Sequence, residues 1–169
     1  NMQKAALQVM SDYHGEFPST YEEIRSLTGI GNYTAGAISS FAFGIPKPAV
    51  DGNVLRVMTR VTADDSDIMS QGVKTRFEKI LRQLMEEHDA KSLHPIDPRN
   101  FNQALMELGA TVCGPNRMPR CGECPCKEFC RAYADGNPEC YPVKEAKKSR
   151  KIEEMTVFVL SCADAYALE

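Results

Sequence analysis

The stretch Leu27-Thr28-Gly29-Ile30-Gly31-Asn32-Tyr33-Thr34-Ala35-Gly36-Ala37-Ile38 decides how this chain is read. It sets a G-x-G turn between two segments of helical periodicity. Upstream, Ser19 and Thr20 each precede a glutamate by three residues (Glu22 and Glu23), the capping-box pattern, which predicts a short helix to about Ser26. Downstream, a helix is expected from about Asn32 to Phe43, closed by Gly44. Residues without a β-carbon allow positive φ and close approach of another backbone. The second helix starts at once, so its unpaired N–H groups face whatever lies before the turn, an arrangement that suits phosphate. Taken alone, G-x-G is short and common, and an unliganded helix–helix turn is its more frequent meaning.

Working outward, Met2, Ala5, Ala6, Val9, Met10 and Tyr13 recur at helical spacing, and His14-Gly15 stops that helix. Ile45-Pro46-Lys47-Pro48 cannot lie inside a helix, because proline lacks a donor and disfavours helix at its predecessor. Asp51 then stands at the N-terminus of a helix containing Val54–Arg60. Val73, Phe77, Ile80, Leu81, Leu84, Met85 and His88 mark another, from Gly72 to about Glu87. Asp97-Pro98 supplies an N-cap and a first-turn proline for a helix running through Phe101, Leu105 and Leu108 towards Cys113. Strand character first appears at Thr156–Cys162, behind the charged stretch Lys144–Glu154. The expected organisation is all-α over residues 1–140, a linker over 141–154, and over 155–169 a short β segment. That segment would begin a further domain too small to build a core alone.

The 169 residues make one ordinary domain or a large piece of a longer protein, and a chain opening on Asn1 suggests the piece. No apolar run approaches the roughly 18 residues of a membrane span, and no basic-then-apolar leader appears. No membrane association is expected, and the reading is of an intracellular monomer. The net charge of −3 conceals an uneven distribution. Residues 113–151 carry nine basic and five acidic side chains, a local +4. The same segment holds Cys113, Cys121, Cys124, Cys126 and Cys130, five of the seven cysteines. In a reducing compartment such clustering points to metal rather than to disulfides. The soft thiolates suit zinc or an iron–sulfur cluster and exclude hard cations.

The string over residues 27–38 resembles the helix-hairpin-helix of the base-excision DNA glycosylases related to endonuclease III. In that family a Gly/Pro-rich loop and an aspartate opening the next helix follow, matching Pro46-Lys47-Pro48-Ala49-Val50-Asp51-Gly52-Asn53-Val54 here. Tyr33-Thr34-Ala35-Gly36-Ala37-Ile38 and Val50-Asp51-Gly52-Asn53-Val54 are most similar to its adenine-specific, MutY-type branch. The resemblance runs from the first residues to about residue 140. It implies the all-α helix-hairpin-helix glycosylase fold with an iron–sulfur loop. It also implies a monofunctional enzyme that hydrolyses the N-glycosidic bond of adenine opposite 8-oxoguanine or guanine in double-stranded DNA.

Asp51 is by default a helix N-cap, and N–H donors with the helix dipole favour its anion. The resemblance places the family's catalytic aspartate on Asp51, where a carboxylate would stabilise or attack the cationic anomeric carbon. Bifunctional members carry a lysine at the position of Tyr33, and tyrosine has no amine for a Schiff base. Asn53 matches a family asparagine near the active site, or caps the helix. For the cysteines the resemblance implies a [4Fe–4S] cluster on Cys113, Cys121, Cys124 and Cys130, with zinc the alternative. The first gap is one residue longer than the family's C-x6-C-x2-C-x5-C, and Cys126 sits inside the last gap. DNA contacts would come from Leu27, Gly29, Ile30, Gly31 and Thr34 of the hairpin and from Arg117 and Arg120 beside the cluster. Such contacts position DNA without reading sequence. The family's general-acid glutamate belongs to a motif that nothing here matches, so the chain is expected to turn over poorly. Two alternatives stand beside the adenine reading: a thymine-mismatch or other endonuclease III-like glycosylase, and a non-catalytic DNA-structure-binding module with a structural metal.

Overall fold

Side-chain caps fix where the helices begin. Thr20 accepts from the Glu23 backbone N–H at 3.3 Å and donates to the Glu23 carboxylate at 2.7 Å. Of the two capping candidates Thr20, not Ser19, is therefore the one used. Asp51 and Asp97 cap their helices by accepting from the N–H groups of Val54 and Asn100. The computed structural model describes residues 1–89, 91–115, 118–145, 154–156, 161–163 and 165–166. Its helices are α1 (Met2–Asp12), α2 (Tyr21–Ser26), α3 (Asn32–Phe43), α4 (Gly52–Thr62), α5 (Gln71–Glu87), α6 (Pro98–Thr111) and α7 (Arg131–Ala134). A two-residue antiparallel ladder pairs β1 (Ser161–Cys162) with β2 (Ala165–Tyr166). Of the expected Thr156–Cys162 strand, Ser161 and Cys162 lie in this ladder and Thr156 does not. Residues 157–160 of that segment, most of the expected linker, and Arg117 lie outside the described residues.

The core forms where the apolar faces of α4, α5 and α6 meet. Val50, Val54, Leu55, Met58, Ile68, Val73, Phe77 and Leu81 form one buried cluster, with Phe101, Leu105 and Met106 packed against it. Burying a side chain such as Phe77 or Leu81 contributes about 2–3 kcal/mol. Helix α1 departs from this pattern. Its apolar periodicity produces a helix, yet none of its residues is buried. It attaches through a polar contact, Gln8 Oε1 accepting from the Thr28 N–H at 2.7 Å.

The Pro46–Val50 loop, which delivers Asp51, is held from two sides. Asn102 on α6 is fully buried. Its Oδ1 accepts from the Ala49 N–H at 3.0 Å, and its Nδ2 donates to Ser40 Oγ and to the Lys47 carbonyl, each at 2.9 Å. From the other side the loop lies directly on Gly36 of α3, where an added β-carbon would overlap the Pro48 carbonyl oxygen. Gly36→Ala therefore has to push the loop away. The expected cost is about 2 kcal/mol, a fall of roughly 5–10 °C in Tm by circular dichroism. An unchanged melting point would show that the loop moves aside freely. Asn102→Ala strands the Ala49 N–H and the Lys47 carbonyl in a dry environment, and the same measurement should register a loss of about 2–3 kcal/mol.

Candidate active site

Asp51 has both carboxylate oxygens engaged. Oδ1 accepts from the Val54 N–H at 2.8 Å, the N-cap of α4, and Oδ2 accepts from Asn53 Nδ2 at 3.0 Å. Asn53 therefore braces the carboxylate rather than capping the helix. Its Oδ1 in turn accepts from Arg56 Nη2 at 2.9 Å. The same Nη2 donates to the Gly109 carbonyl at 2.6 Å, and Arg56 Nε donates to the Cys113 carbonyl at 2.8 Å. A β-carbon on Gly109 would sit 2.7 Å from Asn53 Cβ, so glycine is what lets α6 approach the start of α4. A continuous set of hydrogen bonds thus links the capped carboxylate to the beginning of the cysteine loop.

Arg60, one helical turn beyond Arg56, extends the attachment. Nε donates to the carbonyls of Pro138 and Tyr141, at 2.9 and 2.8 Å. Nη1 donates to the Cys113 carbonyl at 3.1 Å, to Cys113 Sγ at 3.2 Å and to the Gly114 carbonyl at 3.1 Å. Both arginines are almost wholly buried, 6% and 3% exposed. Burial and then the nearby Arg60 lower the Arg56 pKa, with Cys113 and Asp51 opposing. A guanidinium starts so far above neutrality that it stays charged. Sequence reasoning assigned neither arginine a role. The available signal was two arginines at i, i+4 within Val54-Leu55-Arg56-Val57-Met58-Thr59-Arg60-Val61, otherwise apolar but for Thr59.

At the hairpin, Gly29 takes φ +88°, which requires glycine, and Gly31 opens α3 with no side-chain cap. Among the described residues, apart from its chain neighbours, no atom lies within 4 Å of a β-carbon position on Gly31, so the space beside it is open. Arg25 braces the turn, with Nε donating to Asn32 Oδ1 at 2.7 Å and Nη1 to the Ile30 carbonyl at 3.0 Å. Leu27 is 2% exposed, so its side chain shapes the turn from inside. Ile30 and Thr34 are half-buried and Tyr33 is exposed on the first turn of α3. No hydrogen bond joins Tyr33 to Asp51 among the described residues.

Cys113, Cys121, Cys124, Cys126 and Cys130 line one pocket with Val57, Val61, Leu108 and Val112. Short 3-10 turns at Cys121–Glu123 and Lys127–Phe129 fold the loop, and Cys130 is the N-cap residue of α7. Burial raises the Cys121 thiol pKa, helped by Cys113, Cys130 and Cys124. Burial, with Cys124 next, pushes Cys126 up to about 11. Among the described residues no three His, Cys, Asp or Glu side chains gather closely enough for a single metal ion. Cys140 is exposed and is not among the residues lining this pocket. Arg120 is tied to its own loop, donating to Glu123 Oε2 at 2.9 Å and to the Thr111 carbonyl at 2.8 Å.

The helix-hairpin-helix motif family matches residues 12–41. A solved thermostable thymine-DNA glycosylase aligns with TM-score 0.64 and 26% identity, over 79% of this chain and 57% of that one. An endonuclease III in a non-covalent DNA complex aligns with TM-score 0.57 and 30% identity, over 80% of this chain and 57% of that one. The fold is that of the endonuclease III-like helix-hairpin-helix glycosylases. Within that class, mouse adenine DNA glycosylase is 44% identical over 133 residues, 78% of this chain and 24% of its own length. The chain is similar to adenine DNA glycosylases over most of its residues and spans about a quarter of the length of the curated mammalian relatives it matches.

Proposed function

We propose that this chain forms the DNA-engaging core of a monofunctional N-glycosylase that removes adenine mispaired with 8-oxoguanine or guanine. The capped and braced carboxylate of Asp51 carries this reading. Departure of the base leaves positive charge at the anomeric carbon, and a fixed carboxylate beside it stabilises that charge or attacks the carbon. Asn53, itself held by Arg56, keeps the second oxygen in place. Tyr33 supplies no amine, so strand cleavage through a Schiff base does not follow base release. Duplex phosphates would lie against the open start of α3, and Arg117 and Arg120 would add positive charge beside the cysteine loop. Selection of the base requires its extrusion from the stack.

The thiol-rich pocket fits a soft metal centre. The resemblance favours a [4Fe–4S] cluster on Cys113, Cys121, Cys124 and Cys130, all of which line this pocket, with zinc the alternative. These four thiolates would hold the cluster, which would supply a structural cross-link of the loop. A brown protein with broad visible absorbance that bleaches on reduction is expected, and a colourless zinc protein would refute the assignment.

The decisive test compares two duplexes with 8-oxoguanine opposite the target, one carrying a cationic pyrrolidine sugar mimic and the other a neutral tetrahydrofuran. A glycosylase core should prefer the cation, because complementarity is to the transition state. Equal affinities would instead favour a non-catalytic DNA-structure-binding module. A second base assignment is kept because of the likeness to the thymine-DNA glycosylase structure. Comparing slow single-turnover base release, with enzyme in excess, from A:8-oxoguanine, A:G and T:G duplexes separates the two, and loss of thymine alone would overturn the adenine reading.

A further inference from the structure

We infer that Cys126 is a reserve ligand of the cysteine pocket: where Cys124 is lost, Cys126 takes its place on the cluster. This rests on the [4Fe–4S] reading above. A cubane needs four terminal thiolates, and this pocket is lined by five cysteines. Cys126 follows Cys124 with only Pro125 between them, and two residues span about 7 Å of chain at most. The backbone on both sides is fixed. Cys124 N–H donates to the Cys121 carbonyl at 3.1 Å, Lys127 N–H to the Cys124 carbonyl at 3.2 Å, and Phe129 N–H to the Cys126 carbonyl at 3.2 Å. Cys126 is therefore held at the pocket wall rather than swinging in from solvent. Cys113 is a different case. Its carbonyl and sulfur are engaged by Arg60, and it lies at the end of α6, where no other cysteine can supply the same attachment.

The exchange is a simple substitution at iron. With Cys124 absent, one iron lacks its thiolate. The Cys126 thiol would give its proton to solvent, and its thiolate would take the coordination position left by Cys124, displacing a water held there. No electron is gained or lost by the cluster.

The test uses the 169-residue chain as wild type, Cys126→Ala, Cys124→Ala, the Cys124→Ala/Cys126→Ala pair, and Cys113→Ala. Iron and acid-labile sulfide per chain are measured together with visible absorbance, and circular dichroism checks that each form is folded. Cys126→Ala should match wild type. Cys124→Ala should retain most of its cluster, the double variant should fall by roughly tenfold or more, and Cys113→Ala should be as depleted as the double variant. If Cys124→Ala does not accumulate, the near-isosteric Cys124→Ser repeats the comparison in both backgrounds. The inference is overturned if single replacement of Cys124 empties the site as fully as the double. It is equally overturned if Cys126→Ala alone loses the cluster, since Cys126 would then be a primary ligand. A wild-type chain without iron and sulfide would overturn the cofactor reading itself, a failure distinct from the other two.

Discussion

Replacing Asp51 with asparagine is expected to erase the preference for a cationic sugar mimic while leaving affinity for the neutral mimic nearly unchanged. The two halves of this result follow from two roles of one side chain. As the N-cap of α4, Asp51 accepts from the Val54 N–H, and asparagine caps about as well, so α4 should start at the same residue at little cost in stability. As a charge, it has no substitute. A carboxylate about 4 Å from a unit positive charge gains on the order of 4 kcal/mol at the effective dielectric of a protein surface. Discounted for competing water and salt, roughly 2–3 kcal/mol remains, a 30- to 150-fold difference in affinity between the two mimics. Fluorescence anisotropy on both duplexes, with wild type and Asp51→Asn side by side, measures it directly. If the variant keeps the preference, Asp51 is only a cap and the charge that favours the cation lies elsewhere.

How much of this could be read from the chain depended on how local each interaction is. The caps at Thr20, Asp51 and Asp97 act within three residues, so they were legible, as was the G-x-G turn that opens α3. The cysteines were legible because their spacing carries the chemistry. What could not be read are the buried polar contacts. Arg56 reaches Gly109 and Cys113, 53 and 57 residues away, and Arg60 reaches Tyr141 at a separation of 81. Their position inside an apolar run hints at burial, but nothing in the sequence names these distant partners. Asn102 is equally silent, since its partners Ser40, Lys47 and Ala49 become neighbours only when α6 crosses α3 and the loop behind it. At α1 the apolar repeat predicts the helix that forms, although none of its residues is buried. An apolar repeat predicts a helix from local energetics, but only another part of the structure can bury it.

Arg60 should be the most costly side chain to remove outside the hydrophobic core. It is the only one of the two buried arginines that reaches both ends of the cysteine segment, Cys113-Gly114 at the front and Pro138 and Tyr141 behind. Arg60→Met preserves length and apolar contact but removes every donor, leaving carbonyls in a dry site. Each stranded group costs about 1–3 kcal/mol, and since the loop can relax and admit water the total is about 3–5 kcal/mol rather than their sum. Against a typical total stability of about 5–15 kcal/mol, this leaves a marginal fold and lowers Tm by roughly 10–15 °C. Arg60→Lys separates charge from geometry. A lysine retains the positive charge but cannot fork to two sets of carbonyls at once, so about half of the loss should remain. Thermal melts followed by both circular dichroism and visible absorbance distinguish the outcomes. If the arginine clamps the loop, absorbance is lost at a lower temperature than helicity in Arg60→Met, and together with it in wild type. Coincident loss in the variant would mean that the cysteine segment is held by its own turns, with Arg60 contributing only to the fold as a whole.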